Sequence, residues 1–582
     1  MKFIQNVKGE NIKEAHLRKL GLNDTEAIND WFRKSNNDSY WIKPMKDIID
    51  LLNKFKDKTI YILGDYDVDG ITATSIMFLA LKWAGFKDIN FRIPTRSEGF
   101  GVRANIIEEI YKTISNKGIN TVDVLLFTVD NGIAGIEAID KAKEYGFTVI
   151  VTDHHEPCVV DDNIILPNAD VIFDAVAIKN SADFDGYCGA ANAYKVARAL
   201  LGKDSKTNYL TPLAMIATFA DVMILKEENY VIAYKGLKML NEQLLNNLPS
   251  IQALAKIFGI KHWTSSTIGF TIAPAINALE RVEDGAAKFG VHLLTCEDEE
   301  RCLDLALKLK DYNEIRKELT IKATSKAEAI ITSECSSENS IAYPIIINIP
   351  NIKLGIVGII AGKLQEKYGL PVGVFTETEN GELKGSFRSP EGYNIKEHLD
   401  LCSDYFTVCG GHSQAAGASL LKENFDTMKI EMQKTAFKTI EPLNQDIFYY
   451  DVEIKNEDLV NAIKENERFQ PLGNGNEDLI FKITDFDVIP DYGGYKKPMR
   501  NNGIRLKSLT STAVGFGLWD KASEINGPCK LTLYGYIANN YWQKQNGDIV
   551  VTPQIQFLEL ELQEEDKLSP FAKALKEKAM NR

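Results

Sequence analysis

The chain has 582 residues, 45% of them hydrophobic and 25% charged, which is ordinary for globular protein and enough for about three domains. Lys and Arg number 67 against 81 Asp and Glu, a net charge of −14 that excludes a globally basic nucleic-acid binder but leaves room for a local basic groove. The eight cysteines form no C-x-x-C pair, no stretch reaches the ~18 apolar residues of a membrane span, and the charged start MKFIQNVKGENIKEAHLRKL lacks a signal-peptide core, so a soluble, cytoplasmic, thiol-bearing protein is expected.

Residues 1–58 read as short helices and loops packed on the first domain. From 59 to about 240, strands (59–64, near 89–93, 122–129, 147–152) alternate with helices (near 71–85, 104–117, 134–145), the pattern of a parallel sheet with helices on both faces. In such sheets ligands bind at the carboxyl ends of the strands. Three strands end there in polar residues: Asp65-Tyr66-Asp67-Val68-Asp69-Gly70 after Ile60–Leu63, Asp130-Asn131-Gly132 after Val124–Val129, and Asp153-His154-His155 after Thr148–Thr152. A fourth segment, Ala214–Ala220, is strand-like and ends in Asp221.

Residues 297 to about 333 read as a long charged helical pattern with apolar residues at three- and four-residue steps (Cys302, Leu305, Leu309, Tyr312), long enough to connect domains, with two shorter helices packed on a core as the alternative. A second α/β unit with glycine-rich turns at Gly355–Gly358 and Gly410–Gly417 runs from about 340 to 435. From about 445 short β-like runs (479–489, 504–509, 512–518, 529–538, 549–560) suggest a β-barrel or sandwich, and a charged tail closes the chain.

Clustered carboxylates without basic neighbours are costly to desolvate, so a cluster of this kind points to a bound cation or raised pKa values. Carboxylates with imidazole and no thiolate suit Mn²⁺ or Mg²⁺, and shared carboxylates are what a two-metal phosphoryl hydrolase needs. Any one of these acids could instead serve as a helix cap or turn former; four segments ending alike favour the metal site.

In this order the motifs resemble those of the DHH phosphoesterases. Arg96-Ser97-Glu98-Gly99-Phe100-Gly101, Cys188-Gly189-Ala190-Ala191, Pro274–Ala278, Gly385–Ser389, Gly410-Gly411-His412, Pro471–Asn476 and Asn540-Tyr541-Trp542 are more specifically similar to the RecJ single-strand-specific exonucleases, over residues 58 to about 560. The resemblance implies a DHH domain (59–295), a connecting helix (296–335), a DHHA1 domain (336–440) and an OB-fold domain (441–562), with a tail at 563–582. It also implies two Mn²⁺ or Mg²⁺ ions, Asp67 on one, Asp69, His154 and Asp221 on the other, and Asp130 bridging. Asp65 and Asp153 would support the ligands and His155 would contact the scissile phosphate. Ser386, Arg388 and Arg96 look like the terminal-phosphate pocket, with His412 and Arg281 near the substrate; a structural histidine in a turn and a surface salt bridge are the alternatives for those two. An OB-fold binds single strands by stacking bases on aromatics within a cationic groove; Tyr492, Tyr495, Lys496, Lys497, Arg500, Tyr541, Trp542 and Lys544 are the candidates here, with Tyr541 and Trp542 as core of the β-barrel the alternative.

The implied function is 5′-to-3′ hydrolysis of single-stranded DNA to mononucleotides in recombination, repair or replication, by a monomer with a single-strand-binding protein or a helicase as partner. An oligonucleotide or cyclic-dinucleotide phosphodiesterase and a non-catalytic replication scaffold are the alternatives. The chain departs from the family at Leu63, where many members have His, and at Ala275, where Arg is common.

Overall fold

In a computed structural model that describes residues 2–563 apart from 23–24, 34–41, 162, 183, 203–204, 243–247, 335–341, 379, 437–446, 492–493, 500–501, 523–524 and 545–546, the first strand does not join the domain that follows it in sequence. β1 (Lys2–Gln5) pairs in parallel with Ile447–Tyr450. Helix α1 (Ile12–Leu20) starts at a capping box between Asn11 and Glu14, ends on Gly21 in the left-handed conformation, and buries Ile12 and Ala15 in the C-terminal core. Lys19 reaches buried Asp451 at 3.0 Å. The expectation that all of residues 1–58 pack on the first domain is therefore corrected. The stretch through Leu20 belongs to the C-terminal unit, whereas α2 (Met45–Lys54) adds Ile48 and Leu52 to the first domain's core. An amphipathic stripe specifies that it must be buried, not against which face.

The first domain is built on β2 (Thr59–Leu63), α3 (Val68–Trp83), β3 (Asp88–Arg92), α4 (Ala104–Asn116), β4 (Val124–Val129), α5 (Ile136–Glu144), β5 (Thr148–Thr152) and β6 (Val171–Phe173). The sheet order is β3-β2-β4-β5-β6 and every pairing is parallel. Leu63 stands beside Thr128, and Thr128 beside Val151, so the residues that follow all three central strands emerge at one edge. One face is covered by α4 and α5 through Ile107, Ile110 and Ile139, the other by α3, α6 (Gly189–Leu201) and α7 (Thr211–Ala220). The segment Ala214–Ala220, read as a strand, is the last two turns of α7, and Asp221 is its C-terminal cap residue. A short, uniformly apolar run carries no periodicity to separate a buried strand from a buried helix.

Helix α8 (Glu299–Glu334) is a single helix of 36 residues, about 54 Å long at the α-helical rise. Its first half packs Cys302, Leu309 and Tyr312 into the first core and its second half packs Ala323, Ala327 and Ile331 into the next. That second domain comprises β7 (Ile345–Asn348), α9 (Leu354–Tyr368), β8 (Val372–Glu377), β9 (Glu382–Arg388), β10 (Val408–Gly411) and β11 (Ala415–Leu421), in sheet order β10-β11-β9-β8-β7.

The C-terminal domain has β12 (Ile447–Tyr450), β13 (Val452–Lys455), α10 (Leu459–Asn466), β14 (Phe481–Asp487), β15 (Lys497–Met499), β16 (Gly503–Lys507), β17 (Thr512–Gly515), β18 (Lys530–Gln543) and β19 (Ile549–Leu562). Seven of these strands form the order β13-β14-β18-β19-β17-β16-β15, and no pairing of β13 with β15 closes it among the described residues. Tyr492, Arg500 and the tail from 564 lie outside the described residues. Among those described, no helix is long and apolar enough to cross a membrane.

Candidate active site and metal centre

The edge where β2, β4 and β5 end gathers the predicted acids and both histidines. His154 Nε2 lies 3.0 Å from Asp130, 3.4 Å from Asp69 and 3.8 Å from Asp221. Three sets of side chains each bring their ligand atoms within 4.8 Å of one another: Asp65, Asp67 and Asp130; Asp69, His154 and Asp221; and Asp130, His154 and His155. Asp130 is common to the first and third sets, and His154 to the second and third.

Local structure explains how so many carboxylates point one way. Asp67 caps the N-terminus of α3, accepting from Gly70 N–H at 3.0 Å. Asp69, two residues on in the same first turn, accepts from Gly189 and Ala190 N–H at 2.6 and 2.7 Å, so the first turn of α6 closes over it. That approach requires glycine, because a Cβ on residue 189 would stand 2.3 Å from Asp130 Cβ. Asp130 itself adopts a left-handed φ of 63°. Asp221 arrives from the C-terminal end of α7 and is the most exposed of these acids, with about a third of its side chain reaching solvent and the rest buried against the cluster.

The electrostatics are those of an anion cluster short of counter-charge. Burial, then the charge of Asp67, pushes Asp65 up to about 8, and burial with the Asp69 and Asp67 charges pushes Asp221 up to about 8. Asp67 is raised by burial and Asp69, and Asp130 is held well above the usual carboxylate range by burial and by Asp69, Asp67 and Asp65. Neither oxygen of Asp65, a fully buried carboxylate, makes a well-formed hydrogen bond, the backbone N–H groups of Tyr66 and Gly101 approaching it without closing one. Orphaned buried oxygens beside hard-donor carboxylates and one imidazole fit a divalent cation.

The two histidines differ. Burial holds His154 below the ordinary imidazole value, as suits a neutral ligand. Burial would lower His155 too, but its Nδ1 contact of 2.7 Å with Asp153 and that charge carry it up to about 9. Asp153, in spite of burial, is held below its usual value by His155 and by N–H donors from Ile133 and His154.

Beside the acids stands a second centre, of arginines. The Arg96 guanidinium lies over the Tyr66 ring at 4.6 Å, with its buried Nε unpartnered. Arg281 donates to Gly355 O at 3.0 Å, and Arg388 donates to Ser386 Oγ at 2.8 Å and to Phe387 O. Arg96, Arg281 and Arg388 have no carboxylate ion pair among the described residues, so Arg281 does not form the surface salt bridge that would compete with a substrate role. Burial, then the charges of Arg96 and Arg316, pushes Arg281 down to about 10, and Asp67 opposes the shift. The first turn of α9 completes the pocket. A Cβ on Gly355 would stand 2.5 Å from Arg281 Cα, and one on Gly358 would stand 3.2 Å from Ser386 Oγ and Arg388 Nη2.

The remaining predicted residues fall elsewhere. His412 is exposed in the turn between β10 and β11, where its N–H bonds Ala415 O. Tyr541 stacks on His262 of the first domain at 4.1 Å, and Trp542 is 44% exposed on the β18–β19 hairpin, so neither is core. The sequence reading missed Arg316, whose buried Nε is unpartnered, because only the apolar periodicity of α8 was legible there. It also missed Tyr66, hidden among acids, and Glu280, which accepts from the N–H groups of Arg96, Gly285 and Ala287 and so holds the Arg96 loop.

Family models match the chain in two places: the DHH family N-terminal domain over residues 59–176 and the DHHA1 domain over 341–437. The single-stranded-DNA-specific exonuclease RecJ of Bacillus subtilis is 30% identical over 521 residues, covering 87% of this chain and 63% of that protein. RecJ of Salmonella typhimurium is 30% identical over 415 residues, 67% of this chain and 69% of that one. The chain thus spans slightly under two thirds of the first relative's length. Among solved structures, RecJ of Thermus thermophilus with Mn²⁺ aligns at a TM-score of 0.71 and 22% identity, over 97% of this chain and 79% of that one. A RecJ exonuclease bound to manganese aligns at 0.55 and 28%, over 68% of this chain and 94% of that one. With both family domains in order and the identity extending well beyond them, the chain belongs to the RecJ family of DHH/DHHA1 proteins.

Proposed function

We propose that this protein is a metal-dependent exonuclease that degrades single-stranded DNA from the 5′ end to 5′-mononucleotides. The observation that carries the reading is the adjacency of two unlike centres, the acids and the arginines, with Asp67 acting on Arg281 between them. A terminal phosphate held by Ser386, Arg388, Arg96 and Arg281 would lay the following phosphodiester over the acids. Arg suits this task because its fork matches phosphate oxygens. The names of the B. subtilis and S. typhimurium relatives, and the manganese in the 28%-identical structure, support it.

Asp67 with Asp130 would hold one Mn²⁺ or Mg²⁺ ion, and Asp69, His154 and Asp221 a second, with Asp130 serving both. When bound, such a pair supplies water acidic enough to attack near neutral pH and offsets charge on the departing 3′ oxygen. The chain's own residues do the positioning. Asp153 fixes the His155 ring and keeps it protonated, so that its other nitrogen offers a proton to a non-bridging oxygen of the scissile phosphate. Asp65 would support the ligands from the site edge. Polarity follows from the anchored 5′ phosphate.

The C-terminal sheet is read as an OB-type platform for the strand, with exposed Trp542 stacking on bases and Lys496, Lys497 and Lys544 meeting phosphates. His412 would approach the strand from the second domain. The setting is cytoplasmic, the protein a monomer, and a helicase or single-strand-binding protein would present the substrate. The test is digestion of 5′-phosphorylated single strands with Mn²⁺ or Mg²⁺ added singly. Mononucleotides released from the 5′ end are expected, and equal attack on 3′ overhangs would sink the polarity.

A further inference from the structure

The motif Pro471–Asn476 belongs to neither charged centre, yet it touches the chain beside Asp221. It is a turn of the C-terminal domain, between α10 and β14, and it meets the loop that leads from α7 to the helix Glu227–Asn241. Asn474 Nδ2 donates to Val222 O at 2.8 Å, and Asn474 O accepts from Leu225 N–H at 2.7 Å, so one residue holds both ends of that loop segment. The fit is close. A Cβ on Gly475 would stand 2.6 Å from Ile224 Cγ1, and one on Gly473 would stand 2.8 Å from Leu225 Cδ1. The turn is fastened from within: Gly473 and Asn476 exchange backbone hydrogen bonds of 2.9 and 3.0 Å, and the buried Asn476 side chain donates to Phe469 O and Pro471 O, both at 2.8 Å.

The loop it holds is one that needs holding. Val222 has a left-handed φ of 52°, where a β-branched residue is a rare outlier, and its side chain is 66% exposed, so packing does not keep it there. Asp221, the residue before it, is the least fastened of the clustered acids. Asp67 and Asp69 accept backbone N–H groups, whereas the Asp221 carboxylate accepts no hydrogen bond among the described residues. Its 3.8 Å from His154 Nε2 is also the longest of the three separations around that nitrogen. The backbone at residues 221 and 222 therefore decides where this carboxylate points. We infer that Asn474 is a positioning residue for the cation site of Asp69, His154 and Asp221: by holding Val222 in its left-handed form it keeps Asp221 turned toward the other two. The inference rests on the metal-dependent reading above and ties that site to the seating of the C-terminal domain.

The experiment uses the full chain, calorimetric titration with Mn²⁺ alone, and digestion of a 5′-phosphorylated single strand over a range of Mn²⁺. Asn474→Ala should weaken the second Mn²⁺ about tenfold, the usual cost of removing a group that orients a metal ligand, and leave the first unchanged. Digestion by this variant should need about tenfold more Mn²⁺ for half-maximal rate, with KM for the strand at the wild-type value. Val222→Asn in the same variant should restore the lost affinity, because Asn tolerates the left-handed region without being held there. Wild-type Mn²⁺ binding by Asn474→Ala, or a loss that Val222→Asn does not restore, overturns the assignment and leaves the nuclease reading intact. A raised KM for the strand with Mn²⁺ binding unchanged also overturns it, and makes the turn a strand contact instead. A wild-type protein that neither binds Mn²⁺ nor cleaves any strand overturns both readings.

Discussion

The acidic centre and the arginine centre are opposite cases of one problem. Each concentrates like charge in a partly buried place without enough counter-charge of its own: Asp65, Asp67, Asp130 and Asp221 are pushed toward their neutral forms, and so is Arg281. The acids belong to one domain and are assembled by the edge of one sheet. The arginines come from the Arg96 loop, the helix carrying Arg281, the connecting helix and β9, and meet only where two domains dock. On the exonuclease reading proposed above, the comparison assigns bond cleavage to a single domain and end recognition to the meeting of two. Ligands of opposite sign, a cation at one centre and a phosphate at the other, would offset the buried like charge.

The largest effect that could break this comparison is loss of the shared acid. Asp130→Ala should reduce turnover by roughly three orders of magnitude or more and remove Mn²⁺ binding, read by single-turnover digestion and calorimetry. Retained activity would mean that the acids are not the reaction centre. Next comes Arg388→Ala, with about a 10- to 100-fold loss on 5′-phosphorylated strands, the size of one or two charge-assisted hydrogen bonds, and little change on 5′-hydroxyl strands. Equal losses on both would show that the arginines do not read the end. Arg316→Gln should follow the same pattern at about fivefold, since its contribution adds to that of three other arginines.

The smallest effect concerns stability. Asp65 and Asp221 have folded values of about 8, above those of an unfolded chain, so the folded state holds protons more tightly. The stability they contribute to metal-free protein is fully present below about pH 4 and is lost as pH rises through about 8. Melting in chelator should therefore fall by a few degrees over that range, and Asp65→Asn should flatten part of the fall. Added Mn²⁺ should oppose the trend, because a cation favours the deprotonated carboxylates. A chelated protein whose melting point rises across that window would contradict the raised values.

Much of the acidic centre was legible because strand ends are local. Ile60–Leu63, Val124–Val129 and Thr148–Thr152 are apolar runs of strand length, and in-register parallel pairing carries the residues after each to one edge. Asp221 was found for the wrong geometric reason, since it ends helix α7 rather than a strand. Phe100 and Arg96 were visible as part of a motif, but nothing in the motif says that one faces His155 and the other Tyr66.

Chain order and polarity pattern were enough to specify the alternating α/β core, the long connector and the identity of the clustered acids, because each depends on residues a few positions apart. Packing alone settled the rest. The first strand crosses to a partner near residue 447, Arg316 turns toward the arginines, and Gly189 and Gly355 let helices touch Asp130 and Arg281. Such contacts join segments far apart in the chain, and an apolar stripe or a cationic side chain is compatible with many partners until the three-dimensional fit selects one.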